Sequence, residues 1–144
     1  MPLNKMNTIK ALILDMDGVL WRADQAIGDL PAIFQRINAI GLDYMMATNN
    51  TTRGPEMIVT KLRSFGVDCP VEKIVNSGMA TLALLKEKWP EGGPIFIVGE
   101  EGVHQALAKG GFLHSTENPL AVIAGFDREI NYNKIQVASN FIQK

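Results

Sequence analysis

Residues 9–20 read IKALILDMDGVL, an apolar run that ends abruptly at two aspartates and a glycine. Residues 9–14 are almost unbroken in their apolar character, which is typical of a strand buried on both faces of a parallel sheet. The carboxyl ends of such strands line the crevice in which α/β proteins bind ligands. The stretch therefore predicts an α/β fold with Asp15 and Asp17 at a candidate site on the edge of its sheet.

Helix and strand patterns alternate along the rest of the chain. Apolar residues at helical spacing predict a helix over residues 31–40, the run LDYMMA predicts a strand over residues 42–47, and a second helix opens at Pro55. Strand, helix, strand and helix in this order predict a right-handed parallel α/β unit. Five further elements continue the alternation. They are expected over residues 77–89 (helix), 95–98 (strand), 101–109 (helix), 120–124 (strand) and after Asn131 or Asn133 as a cap (helix).

Composition excludes several classes of protein. The 144 residues are 47% apolar and 20% charged, which suffices for one hydrophobic core and by length alone suggests one domain. The net charge is −1 and no basic cluster occurs, so neither nucleic acid nor an anionic membrane is expected as a partner. The single cysteine, Cys69, excludes a disulfide scaffold and fits a reducing compartment. The apolar run at residues 11–14 is too short for a membrane span, so a cytoplasmic protein is expected.

The two aspartates have a chemical consequence. In an extended backbone Asp15 and Asp17 point the same way, and their mutual repulsion favours either a bound divalent cation or a proton held by one of them. A cation anchors a phosphate, and a protonated carboxyl supplies a general acid. Gly18 lets the chain turn sharply and approach a ligand closely. An ordinary Asp-Gly turn is the alternative, whereas an EF-hand calcium loop fails because Ile13 would occupy its first ligand position.

A second polar cluster, Thr48, Asn49 and Asn50, follows the second predicted strand and precedes a helix. Because neighbouring parallel strands end side by side, this cluster should face Asp15 across one crevice. Its hydroxyl and amides can donate hydrogen bonds to phosphate oxygens. A simple helix cap is the alternative for this cluster alone. The presence of both clusters at two strand ends favours a phosphate site.

At this point the sequence resembles a known family. The strings DMDGVLW and TNNTTRG, each after a strand, are similar to those of the haloacid dehalogenase (HAD) superfamily, in its branch of NagD-like and p-nitrophenylphosphatase-like phosphatases (subfamily IIA). The later strings SGMAT, VGEEG and AGFDR resemble landmarks of that branch's α/β cap. The resemblance implies an incomplete Rossmann-like, HAD-like core with a parallel sheet over residues 1–76. The first part of a C2-type cap would follow over residues 77–144.

The resemblance also implies an activity and residue roles. The activity would be Mg²⁺-dependent hydrolysis of a small phosphate monoester, of the sugar phosphate, phosphoglycolate or nitrophenyl phosphate type, through an aspartyl-phosphate. Asp15 would be the nucleophile, with one carboxylate oxygen on the metal. Asp17 would be the general acid and base, and its backbone carbonyl would bind the metal. Residues 19–22 would form a mobile flap. The residues that hold the phosphate would be Gly18, Thr48, Asn49 and Asn50.

The family's later motifs, a lysine and then one or two aspartates, have no counterpart in this sequence. Lys134 and Asp127 lie in cap landmarks, and we expect structural roles for both. His104 and His114 are expected to be isolated surface residues. The resemblance thus implies the N-terminal portion of a phosphatase that is weakly active or inactive alone. The alternatives are a noncatalytic phosphate- or metabolite-binding module that pairs with a second copy or a complementing chain, and, less favoured, a dehalogenase that attacks carbon.

Overall fold

The computed structural model describes residues 9–143. It divides into two compact units. Of the described residues, the first unit comprises 9–48 together with Pro55–Val75, and the second comprises Asn49–Gly54 together with residues 76–143. The short segment Asn49–Gly54 thus lies between two stretches of the first unit in sequence but clusters by its contacts with the second.

In chain order the elements of the first unit are β1 (Ala11–Asp15), β2 (Trp21–Arg22), β3 (Gln25–Ala26), α1 (Leu30–Ala39), β4 (Asp43–Thr48), α2 (Pro55–Ser64), a 3-10 turn (Val71–Lys73) and β5 (Ile74–Asn76). The unit is built on a three-stranded sheet of order β1-β4-β5 beside a small hairpin, β2-β3. Strands β1 and β4 run parallel, as the alternating pattern predicts.

A single hydrophobic cluster holds the first unit together, and it lies on one face of the sheet. Helices α1 and α2 both contribute to it, through Phe34 and Leu62 among others, and Met46 of β4 and Cys69 are buried within it. The prediction that β1 is buried on both faces is therefore wrong. Its residues alternate instead, and Ile13 is 80% exposed. The reason is that both helices cover the same side of the sheet.

The elements of the second unit are α3 (Ser77–Lys88), β6 (Gly93–Val98), α4 (Glu101–Ala108), β7 (Phe112–His114), β8 (Val122–Ala124) and α5 (Tyr132–Ile142). Its strands form a parallel sheet of order β7-β6-β8 with helices on both faces. Ile95 and Ile97 of the central strand pack in the cluster that α3 and α4 complete, whereas Phe96 and Val98 pack in the cluster formed with α5.

Side-chain caps fix where two of these helices begin. The Asn76 side-chain oxygen accepts a hydrogen bond of 2.9 Å from the Met79 backbone N–H at the start of α3. At the start of α5 the Asn131 oxygen accepts one of 3.0 Å from Lys134. Of the two predicted cap residues, Asn131 is therefore the one used. Both bonds satisfy backbone donors that lack a partner inside the helix.

Two adjacent leucines of α3 offer a direct test of the packing in the second unit. Leu85 is 4% exposed in the cluster beneath β6, and Leu84 is 57% exposed. We expect Leu85→Ala to lower the free energy of unfolding by about 2–5 kcal/mol, because it leaves a cavity. The matched Leu84→Ala is expected to change it by less than about 0.5 kcal/mol. Urea denaturation followed by circular dichroism measures both, and equal effects would contradict this packing.

Candidate active site

Asp15 and Thr48 are the last residues of two neighbouring parallel strands. In the register of β1 and β4, Asp15 lies opposite Ala47, so Thr48 is one residue beyond it at the same edge of the sheet. The Thr48 side chain is buried, whereas Asp15 and Asp17 are exposed. The predicted convergence of these strand ends is therefore found within the first unit.

Hydrogen bonds orient both aspartates. One Asp15 oxygen accepts from the Met16 backbone N–H at 2.8 Å. One Asp17 oxygen accepts from the indole Nε1–H of Trp21, also at 2.8 Å. Each carboxylate thus uses one oxygen for its own positioning and has a second oxygen for a ligand.

The turn after Asp17 depends on Gly18. Gly18 has a φ of +84°, a conformation that side chains disfavour. Its N–H donates to the Trp21 carbonyl at 2.7 Å, and the Leu20 N–H donates to the Met16 carbonyl at 2.9 Å. Gly18 therefore folds the chain back so that Trp21 can reach Asp17.

The chain after this turn forms the hairpin β2-β3, where residues 19–22 were expected to form a flap. Trp21 is only 3% exposed, and its ring centroid lies 6.1 Å from that of Phe65. Lys61 covers the Trp21 ring at 5.1 Å and donates to the Ala23 carbonyl. The hairpin is thus anchored by a buried indole, while its mobility stays a prediction. Sequence reasoning missed Trp21 as a partner of Asp17, although the spacing of four residues across Gly18 was a usable signal.

Asn49 and Asn50 belong to the second unit. The Asn50 side-chain oxygen accepts from the Thr52 N–H at 2.9 Å and from the Thr52 hydroxyl at 2.6 Å. The Asn49 carbonyl accepts from the Ser77 hydroxyl at 3.0 Å. The structure therefore brings Asp15, Asp17, Gly18 and Thr48 together in one unit and fixes the two asparagines by contacts within the other.

The donor set at Asp15 and Asp17 suits a hard cation in part. Carboxylate oxygens are ligands that Mg²⁺ prefers, and it commonly keeps several waters when one or two carboxylates hold it. Within residues 9–143, no group of three or more His, Cys, Asp or Glu side chains is arranged to hold a metal ion. The two aspartates would therefore supply two ligands of a largely hydrated ion.

A cleft of about 430 Å³ opens in the second unit between the start of α4 and the connection from β8 to α5. Inside it, Lys134 donates to the buried Asp127 carboxylate at 2.8 Å. This bond, helped by the Glu129 backbone N–H, holds the pKa of Asp127 below its usual value. Arg128 pairs with both oxygens of Glu100, at 3.0 and 2.9 Å. Asp127 and Lys134 thus serve each other as partners, in line with the structural roles expected for them.

The two histidines are not isolated, which corrects the sequence prediction. Their ring centroids lie 5.6 Å apart, because β7 pairs in parallel with β6, the strand that precedes α4. The His114 Nδ1 accepts from the Ile97 backbone N–H at 3.0 Å and so extends the β6-β7 ladder through a side chain. Desolvation, with His104 as a second cause, lowers the pKa of His114. Both effects favour a neutral imidazole at this position.

Of the helices in the described part of the chain, none has the length and apolar character needed to cross a bilayer. Fold and site together define an α/β protein with paired aspartates at the carboxyl edge of a parallel sheet. A family model described as haloacid dehalogenase-like hydrolase matches residues 12–113. The chain belongs to this family.

Two named relatives are similar to the chain over most of its length. The chain is 30% identical over 132 residues to a protein named 5'-nucleotidase YutF from Bacillus subtilis, covering 92% of this chain and 51% of the relative. It is 29% identical over 135 residues to an acid sugar phosphatase of Staphylococcus aureus, covering 93% of this chain and 52% of the relative. The chain thus spans about half the length of these curated relatives.

Solved structures agree with the sequence relatives. The fold matches that of NagD from Escherichia coli K-12 with a TM-score of 0.81 and 31% identity, over 94% of this chain and 53% of the other. It matches a 4-nitrophenylphosphatase from Thermotoga maritima with a TM-score of 0.83 and 27% identity, over 94% and 51%. The α/β fold with parallel sheets and the predicted NagD-like membership are therefore confirmed.

Proposed function

We propose that this chain carries the nucleophile and phosphate-binding residues of a site that hydrolyses a small phosphate monoester. The observation that carries the proposal is the placement of Asp15, Asp17 and Thr48 at one edge of a parallel sheet, in a family whose named relatives include phosphatases. In this proposal residues 1–76 belong to the catalytic core and residues 77–144 to a C2-type cap. The substrate class is a sugar phosphate, phosphoglycolate or nitrophenyl phosphate type of ester.

The proposed chemistry divides one displacement into two steps. An Asp15 oxygen attacks phosphorus, the bond from phosphorus to the alcohol oxygen breaks, and Asp17 gives a proton to the departing alcohol. Asp17 then takes a proton from the water that attacks the aspartyl-phosphate, which releases inorganic phosphate and restores Asp15. The indole N–H of Trp21 keeps the Asp17 carboxylate in position through both steps.

The remaining residues act on the phosphoryl oxygens. The Thr48 hydroxyl and the Asn49 and Asn50 amides would donate hydrogen bonds to them, and the close turn at Gly18 would let backbone N–H groups approach. The Asp15 carboxylate and the Asp17 backbone carbonyl would hold Mg²⁺, which would offset the repulsion between the anionic nucleophile and the phosphate ester.

We further propose that the 144 residues alone are weakly active or inactive, since the chain spans about half of its relatives. The exposed Ile13 on the outer strand β1 favours a second candidate, an interaction module that pairs with a second copy or a complementing chain. Size-exclusion chromatography with light scattering separates the two. A defined dimer without ester turnover supports the module, and a monomer that turns ester over supports the phosphatase.

Metal removal and a choice of ester test the proposed reaction. With MgCl₂ and concentrated protein, we expect slow release of p-nitrophenolate from p-nitrophenyl phosphate, and a loss of at least about tenfold when EDTA removes the metal. The diester bis(p-nitrophenyl) phosphate is expected to be a poor substrate, because the site is proposed to hold a terminal phosphoryl group. Release that is insensitive to EDTA, or faster on the diester, would exclude this reaction.

A further inference from the structure

We propose that Gly102 and Ser77 are positioning residues that hold the Asn49–Gly54 loop in its working geometry. The inference rests on the proposed function, because it concerns the loop that carries Asn49 and Asn50. All the contacts that support it lie within the second unit. Both residues lie outside the loop in sequence, at the starts of α4 and α3.

Gly102 lets helix α4 touch the backbone of the loop. It is the second residue of α4. A Cβ atom built on it would lie 1.9 Å from the Thr51 carbonyl oxygen, 2.9 Å from the Thr51 carbonyl carbon and 3.3 Å from the Thr52 Cα. No side chain fits at such distances from a backbone. Gly102 is thus needed for close approach.

Helix α3 meets the same loop with its own first turn. The Ser77 hydroxyl donates to the Asn49 carbonyl at 3.0 Å. A Cβ atom on the adjacent Gly78 would lie 3.2 Å from the Thr51 Cγ2 and 3.0 Å from the Ala106 Cβ of α4. The starts of two helices therefore converge on Asn49 and Thr51.

The loop itself is closed by Asn50, which accepts both hydrogen bonds of Thr52. A closed turn of this kind has few ways to adjust, so a displacement at Thr51 also moves its neighbours. Binding groups must be held within about 0.5 Å of their productive positions. Helices α3 and α4 of the second unit thus determine the positions of Asn49 and Asn50, although the loop follows β4 in sequence.

Gly102→Ala tests the contact, and Gly125→Ala is its matched control. A Cβ atom on Gly125 would meet nothing closer than Val103 Cγ1 at 3.9 Å, so alanine fits there. We expect Gly102→Ala to speed hydrogen exchange of the Thr52 amide by about tenfold, because the bond to Asn50 opens more often. Ser77→Ala is expected to speed it by about threefold. Amides of β6 report whether the unit as a whole stays folded.

A functional readout accompanies the exchange measurement. Inorganic phosphate with MgCl₂ is expected to slow exchange of the loop amides in the unmodified chain, and Gly102→Ala is expected to raise the phosphate concentration required by about tenfold. Gly125→Ala is expected to leave that concentration unchanged. A purely structural contact would alter exchange without altering the phosphate requirement.

Each outcome decides a separate claim. Exchange in Gly102→Ala and Ser77→Ala that equals that of Gly125→Ala overturns the positioning inference. If Gly102→Ala also speeds exchange in β6, the whole unit is destabilised and Ser77→Ala becomes the deciding variant. Faster exchange confined to the loop in Ser77→Ala then supports the inference, and unchanged exchange overturns it. An absence of phosphate protection in the unmodified chain contradicts the proposed function instead, and the exchange comparison still decides whether the two residues hold the loop.

Discussion

Asp15→Asn is expected to lower the rate of phosphoryl transfer by a factor of about a thousand or more, the largest effect of any single substitution in this chain. Asparagine lacks the negative charge that makes the carboxylate a nucleophile. Its side-chain oxygen can still accept the Met16 N–H, so the fold at the end of β1 is preserved. Release of p-nitrophenolate under single-turnover conditions, with protein in excess, measures the loss even where the unmodified chain is slow.

A matched carboxylate serves as the control for this prediction. Asp68 is exposed and paired with Arg63 on the surface of the same unit. Asp68→Asn makes the same chemical change away from the strand ends, and we expect it to leave the rate unchanged. A rate in Asp15→Asn that equals the rate in Asp68→Asn would remove Asp15 from the reaction.

Asp17→Asn is expected to have the second largest effect, and the effect should depend on the leaving group. Loss of a general acid slows an alkyl phosphate by a factor of about 10²–10⁴, because its alkoxide leaves poorly without a proton. Nitrophenolate leaves readily as an anion, so its departure should slow much less. Asparagine keeps an oxygen that can accept the Trp21 indole N–H, which preserves the anchored hairpin.

A comparison of two esters measures how far the effect of Asp17→Asn depends on the leaving group. The initial release of nitrophenolate and of an alkyl alcohol is followed in the Asp17→Asn variant and in the unmodified chain. A loss that is at least tenfold greater for the alkyl ester supports a proton donor. Equal losses for the two esters would show that Asp17 acts only as a charge or a structural group.

The sequence predicted the elements with strong apolar periodicity and missed the shortest ones. Helices α1 to α5 lie where the pattern places them, within one or two residues. Strands β2, β3, β5 and β7 have only two or three residues each, too few for an alternation of apolar and polar positions to be visible. The burial of β1 was predicted wrongly because its exposed face depends on which side of the sheet the helices occupy.

The sequence predicts those features of the site that follow from the parallel arrangement of the strands. Two polar clusters after adjacent strands had to reach one edge, and Asp15 and Thr48 do. The bond from Trp21 to Asp17 depends on the exact turn at Gly18. The contact between Gly102 and Thr51 joins residues some fifty positions apart, and that between the rings of His104 and His114 depends on the register of β7. No local pattern in the sequence encodes the last two of these contacts.

The central claim is that Asp15 accepts a phosphoryl group. Intact mass measurement after acid quench tests it most directly, following a long incubation of the 144-residue chain with MgCl₂ and excess p-nitrophenyl phosphate. We predict one phosphoryl adduct per chain, mapped by fragmentation to Asp15, sensitive to hydroxylamine and missing from Asp15→Asn. No adduct on the unmodified chain, or an adduct that persists in Asp15→Asn, would contradict the claim.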